Sequence, residues 1–219
     1  MNYRSMVGES FEYAKEAVVG KWNKWLMLII ATILLGIPLA GYILNVLRGE
    51  KPAPDVNDWR TLFVDGIRYL IIMFIYMIPA MIVLFVVVGV STFGTMSTNP
   101  TAAMAATASM LFGMLLFVVI AFITSLFAII GTVRFARTGI MREAFSFKAI
   151  LAFIGRLGWV PYIIAILVMA GIEIIFGIIV TILTMIPIIG FLIYLCLIAP
   201  ITLLFARYVC LLYDSAGAA

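Results

Sequence analysis

Residues 166–183 read ILVMAGIEIIFGIIVTIL, and this stretch decides the fold class. As a helix it extends roughly 27 Å at 1.5 Å per residue, close to the hydrocarbon thickness a spanning helix must cross. Glu173 is the only charged side chain between Arg156 and Arg207. The run therefore reads as a membrane helix with one carboxylate near its middle, and the rest of the chain follows the same rule. Of 219 residues, 66% are hydrophobic and 11% charged, against about 45–50% and about 25% in soluble domains. The mean hydropathy is +1.25. A water-soluble fold of this size could not cover so much apolar surface, so the composition predicts an all-α integral membrane protein.

Apolar runs place candidate spans at roughly 25–47, 69–93, 101–133, 159–183 and 188–206. The third opens with NPT, where Asn99 fits a helix cap and Pro100 the first helical position. Lys and Arg gather before 25, in the 48–68 and 134–156 connections, and at Arg207, while 94–100 and 184–190 carry no charge. The last four spans therefore form two hairpins whose basic ends and C-terminus are expected in the cytoplasm of a cell-membrane protein. The polar N-terminus lacks the apolar core and cleavage site of a secretory signal. The middle of 25–47, LLGIPLAGY, carries Gly36, Pro38 and Gly41, which can break a helix. That segment is either one kinked span or a hairpin that turns back within the membrane, and the two alternatives put the N-terminus on opposite sides. The layout is one membrane domain over 1–219: an amphipathic segment 1–24, a first membrane segment 25–47, a hairpin unit 48–133 and a second 134–219. It contains five to six membrane segments.

Some stretches echo one another. ILLGIPLAGYIL (33–44) matches ILTMIPIIGFLI (182–193), and ESFEYAK (9–15) matches EAFSFKA (143–149), which suggests a repeated unit of interfacial helix and hairpin. In 141–157, Arg142, Glu143, Ser146 and Arg156 share a helical face, with Phe145, Ile150, Phe153, Ile154 and Leu157 supplying apolar bulk. In 58–69, Thr61, Asp65 and Arg68 are helically spaced behind Asp58 as N-cap. Trp22, Trp25, Trp59 and Trp159 fall at the predicted boundaries, where indole rings favour the interface.

The segments DWRTLFVDGIRYLIIMFIYMIP (58–79), RFARTGIMREAFSFKAI (134–150) and GWVPY (158–162), with GY (41–42) before LRGE (47–50), carry a family likeness. Over most of its length the chain resembles the mostly archaeal membrane family catalogued as domain of unknown function four thousand and thirteen. AFSF followed by GW is also similar to membrane regions attached to some glycerophosphodiester phosphodiesterases, without their catalytic domain. The resemblance implies a polytopic fold and carries over no activity or site residue.

The chemistry available is narrow. There is no histidine, which removes the commonest metal ligand and proton relay. Cys196 and Cys210 fall roughly 20 Å apart along one predicted helix, too far for a disulfide. Asp55, Asp58 and Asp65 read as caps and interface charges, and no phosphate-binding loop or nucleophile elbow is present. No cofactor, metal, catalytic activity or nucleic-acid partner is therefore expected. Glu173 stands out because insertion scales assign Asp about 2.5–3.5 kcal/mol at a helix centre. With Ala170, Gly177, Thr181 and Thr184 it forms a small and polar stripe. This stripe is the candidate intramembrane site, suited to ion passage, to helix contact, or to a carboxyl bonded to a carbonyl or Thr hydroxyl. Arg134, Arg137, Arg142, Arg156 and Arg207 are candidate contacts for lipid headgroups. The expectation is a non-enzymatic scaffold or accessory protein that associates with itself, membrane lipids or another membrane protein. The alternatives are a small channel or carrier using Glu173, and a membrane-shaping hairpin protein.

Overall fold

The computed structural model describes residues 2–96, 99–186 and 188–217, with backbone only at 93–95. Among the described residues the regular structure is helical throughout. The elements are α1 (Tyr3–Val18), α2 (Trp22–Ile33), α3 (Ile37–Leu47), α4 (Trp59–Thr95), α5 (Pro100–Thr138), α6 (Phe147–Leu157), α7 (Trp159–Thr184) and α8 (Ile189–Ser215). Four of these, α4, α5, α7 and α8, are long and apolar enough to cross a membrane, while α2 and α3 are shorter apolar helices. The chain is a multi-pass membrane protein. Ser97 and Thr98 of the uncharged 94–100 connection, and Pro187 of the 182–193 echo, lie outside the described residues.

The 25–47 segment is a hairpin of two helices. At 12 and 11 residues, α2 and α3 extend roughly 18 and 16 Å, short of the roughly 30 Å of a bilayer core. The turn is made by Leu35 (φ 59°) and Gly36 (φ 68°), a left-handed pair that reverses the chain. Lys24, near the start of α2, donates to the Ala53 carbonyl at 2.5 Å, and Tyr42 of α3 donates to the Pro54 carbonyl at 2.7 Å. Both arms of the hairpin thus meet the linker that follows it.

Two amphipathic segments differ from their expected form. The 58–69 segment is continuous with the span after it as the first turns of α4, because no proline interrupts α4 before Pro79. Asp58 does cap its start, taking the Thr61 N–H at 3.2 Å and the Thr61 hydroxyl at 2.5 Å. The 141–157 segment is divided: a 3-10 turn, Met141–Phe145, precedes α6, and Ser146 at φ −77°, ψ 73° breaks the helix between them. Its inward face keeps Ile150, Phe153 and Ile154 buried. Asn99 accepts from the Thr101 N–H at 2.9 Å, with Pro100 opening α5 as its sequence predicts.

The chain forms two compact units. The first comprises residues up to Leu70 together with those from Ile130, and the second Ile71–Ile129. In the second, α4 and α5 touch closely, since a Cβ on Gly113 would lie 2.2 Å from a Val87 methyl. In the first, α1 lies along α8 and α7 pairs with α8. Met6, Ser10, Tyr13, Ala14 and Ala17 recur at helical spacing and form the buried stripe of α1. The α3 and α4 backbones nearly touch, because a Cβ on Gly41 would lie 2.0 Å from the Leu62 carbonyl oxygen, and one on Gly66 1.9 Å from that of Ile37. Small residues permit such approach where helices pack in lipid. Elsewhere the long helices leave bulky side chains exposed, Phe85 at 83% among them, as surfaces solvated by lipid do.

Candidate functional site

Two candidate sites lie in the first unit. One is a network of ion pairs joining α1, α3, α4, α5 and α8. Arg207 of α8 is 2% exposed. It donates to the Glu9 carboxylate of α1 at 2.8 Å and lies 5.1 Å over the Tyr13 ring. Glu9 also accepts from Lys51 at 2.6 Å. Arg137 donates to the Leu47 carbonyl at 2.9 Å and to Asp214 at 2.7 Å, tying α5 to the ends of α3 and α8. Arg48 reaches Asp65 at 2.6 Å and the Ala136 carbonyl at 3.4 Å, and Arg68 shares Asp65 at 3.2 Å. Planar guanidinium groups suit this work because their donors serve several acceptors at once.

Burial governs the chemistry of the network. Tyr13 donates to the Glu50 carbonyl at 3.1 Å. Loss of water around its phenol pushes the pKa up to about 12, against the opposing pull of the Arg207 cation. Cys210 accepts from Arg137 at 3.2 Å, and both Cys196 and Cys210 are free thiols. The three aspartates of 55–65 have separate roles: Asp55 lies 3.7 Å from Lys24, Asp58 caps α4, and Asp65 binds Arg48 and Arg68.

The five arginines singled out from sequence divide by environment. Arg207 is buried and Arg137 is held by Asp214, while Arg134 pairs with Glu143. Arg142 and Arg156 are exposed, and Arg156 lies 5.5 Å over the Phe153 ring. The acids that engage the first group, Glu9, Asp214 and Glu143, are remote in sequence or sit beyond a break in helix, so span-end charge counting does not reveal the pairing.

The second site surrounds Glu173, which is exposed in a groove of about 280 Å³ between α7 and α8. Phe176, Gly177 and Val180 of α7 and Tyr194, Ile198 and Thr202 of α8 share this groove. The polar stripe is not joined by its own hydroxyls: Thr181 donates to the Gly177 carbonyl at 2.7 Å and Thr184 to the Thr181 carbonyl at 2.9 Å. Thr202 likewise donates to the Ile198 and Ala199 carbonyls. Among the described residues no cation pairs with the Glu173 carboxylate. A Cβ on Gly177 would meet nothing within 4 Å, so the groove leaves open space beside the small face of α7. Tyr194 and Thr202 are the groove residues that helical spacing along α7 could not supply.

The family described as a protein of unknown function (DUF4013) matches residues 25–186, and the chain belongs to it. No curated protein and no solved structure matches the chain.

Proposed function

We propose that this member of the DUF4013 family is a non-enzymatic membrane scaffold that associates with itself, with lipids or with a membrane complex. The observation that carries this reading is the network around Arg207, Arg137 and Arg48. Its carboxylates are each bound to Arg or Lys and brace five helices, a structural use that leaves them unavailable as acids, bases or metal ligands. The basic ends face the cytoplasm on the distribution of Lys and Arg, with Arg142 and Arg156 open to anionic headgroups. The exposed apolar flanks of the long helices supply surface for association within the membrane.

A second reading has its own observation. The α2–α3 hairpin is too short to span, and Leu35 at its tip is 88% exposed. A half-depth wedge of this kind would displace lipid in one leaflet and shape the membrane.

Light scattering in mild detergent and flux assays in proteoliposomes test the choice together. The scaffold reading expects a defined assembly, or a membrane protein that co-purifies, without ion flux. A monomer in every mild detergent tried, with proton or cation flux abolished by Glu173→Gln, overturns it in favour of a channel. Tubulation of liposomes that depends on α2–α3 selects the wedge.

A further inference from the structure

Along α7, Glu173 lies roughly 21 Å from Trp159 and roughly 17 Å from Thr184 at 1.5 Å per residue, which puts its carboxylate at mid-depth of the span. No Lys or Arg occurs in 25–47, 69–133 or 157–206. The apolar stretches of this chain therefore bring no cation to that depth, and a second copy has none to offer either. The hydroxyls of Thr181, Thr184 and Thr202 donate to carbonyls of their own helices, and each has only one proton to give.

We propose that the groove between α7 and α8 receives a transmembrane helix of a different protein, one that carries a Lys or Arg at mid-span and sets that cation on Glu173. Charge complementarity selects this occupant. Ionisable groups inside a membrane pair with one another, because an isolated charge in hydrocarbon is costly. A cation at the same depth supplies the counter-charge and the N–H donors together, and charge-assisted hydrogen bonds are about twice as strong as neutral ones. The groove has the shape for a helix as well. Its walls at Phe176, Val180 and Ile201 are apolar, and the open space beside Gly177 lets a visiting backbone come close, as glycine does where helices pack in lipid. A second copy of this chain, docked two-fold on the groove, would instead set carboxylate against carboxylate. The proposal rests on the scaffold reading and names the chemistry of the partner that such a scaffold holds.

The test mixes the purified full chain in mild detergent with equal amounts of three synthetic apolar spanning helices. One has a central Lys, one has Leu in its place, and one has the Lys moved to the helix end. Native mass spectrometry then counts the peptides retained. The expected result is about a tenfold excess of the central-Lys helix over the other two. Glu173→Gln brings it to parity. So does Gly177→Leu, which leaves the carboxylate in place and fills space that is empty within this chain. Glu173→Lys turns the preference towards a helix with a central Glu. Parity in the wild type, an excess that survives Glu173→Gln or Gly177→Leu, or equal retention of the end-Lys helix overturns the proposal. A Glu173-dependent dimer that excludes the peptides also overturns it and reassigns the groove to a second copy. A defined assembly of the chain without the central-Lys excess removes this site alone. The excess on a chain that also conducts ions through Glu173 removes the scaffold reading alone.

Discussion

Glu9 and Arg207 are 198 residues apart in the chain, yet their side chains meet at 2.8 Å. The pair fastens the amphipathic helix α1 onto α8, and the Tyr13 ring covers the same guanidinium. Replacing Glu9 by Gln leaves Arg207 buried beside a neutral amide, and its loss is expected to cost about 1.5–3 kcal/mol. Adding Arg207→Met recovers part of that loss, because the uncompensated charge is removed with its partner. Thermal unfolding in detergent reads the cycle, and limited trypsin cleavage at the exposed Lys15 and Lys21 reports whether α1 lifts. Unchanged unfolding and unchanged cleavage in Glu9→Gln would show that the pair does not hold α1.

The close approach of α3 and α4 gives a sharper contrast. Ala at Gly41 or Gly66 places a methyl about 2 Å from a backbone carbonyl oxygen, which only separation of the helices relieves. Overpacking of this kind costs about 1–3 kcal/mol. Gly155 of α6 is the control, since its Cβ meets nothing within 4 Å and Ala is the better helix former by up to about 1 kcal/mol. Equal thermal midpoints for Gly66→Ala and Gly155→Ala would contradict the contact.

Much of this architecture is legible because bilayer solvation leaves a blunt signature. Apolar runs locate the spans, and Asn99 and Asp58 announce two helix starts by cap chemistry. The buried face of Ile150, Phe153 and Ile154 follows from period alone. What sequence does not reveal is which element comes to lie against a given face. Helical spacing puts Gly177, Thr181 and Thr184 near Glu173, but the groove owes its other wall to Tyr194 and Thr202 on α8. The same limit hides Glu9 from Arg207 and Asp214 from Arg137, where a count of cations at span ends sees only their number. The continuity of 58–69 with α4 is also out of reach, because an amphipathic start and an apolar continuation share one period when no proline parts them.

Tyr13 carries a pH dependence of definite sign. Unfolded, its phenol ionises near its ordinary value of about 10, while burial in the fold pushes the pKa up to about 12. Between those values the folded chain retains a proton that the unfolded chain has lost, so stability falls as pH rises from about 10 to about 12. Below that window Tyr13 contributes no slope. The difference in absorbance at 295 nm between wild type and Tyr13→Phe is expected to appear near pH 12. A difference centred near pH 10 would mean that water reaches the phenol.

The α2–α3 hairpin determines where the N-terminus lies. Its two arms meet one linker through Lys24 with Ala53 and Tyr42 with Pro54, and the wedge reading predicts that the chain leaves the membrane on the side where it entered. Single thiols at Ser5 and at Gly217, in a background with Cys196 and Cys210 replaced, are therefore expected to react with an impermeant reagent from the same face of inverted vesicles. A thiol at Leu35 is expected to resist that reagent from both faces, because a turn held within hydrocarbon is not wetted. Labelling of Ser5→Cys and Gly217→Cys from opposite faces, with Leu35→Cys reactive, would make 25–47 a crossing and remove the wedge. Labelling from one face places the basic N-terminal helix beside Arg142 and Arg156, and the positive-inside distribution then holds for the whole chain.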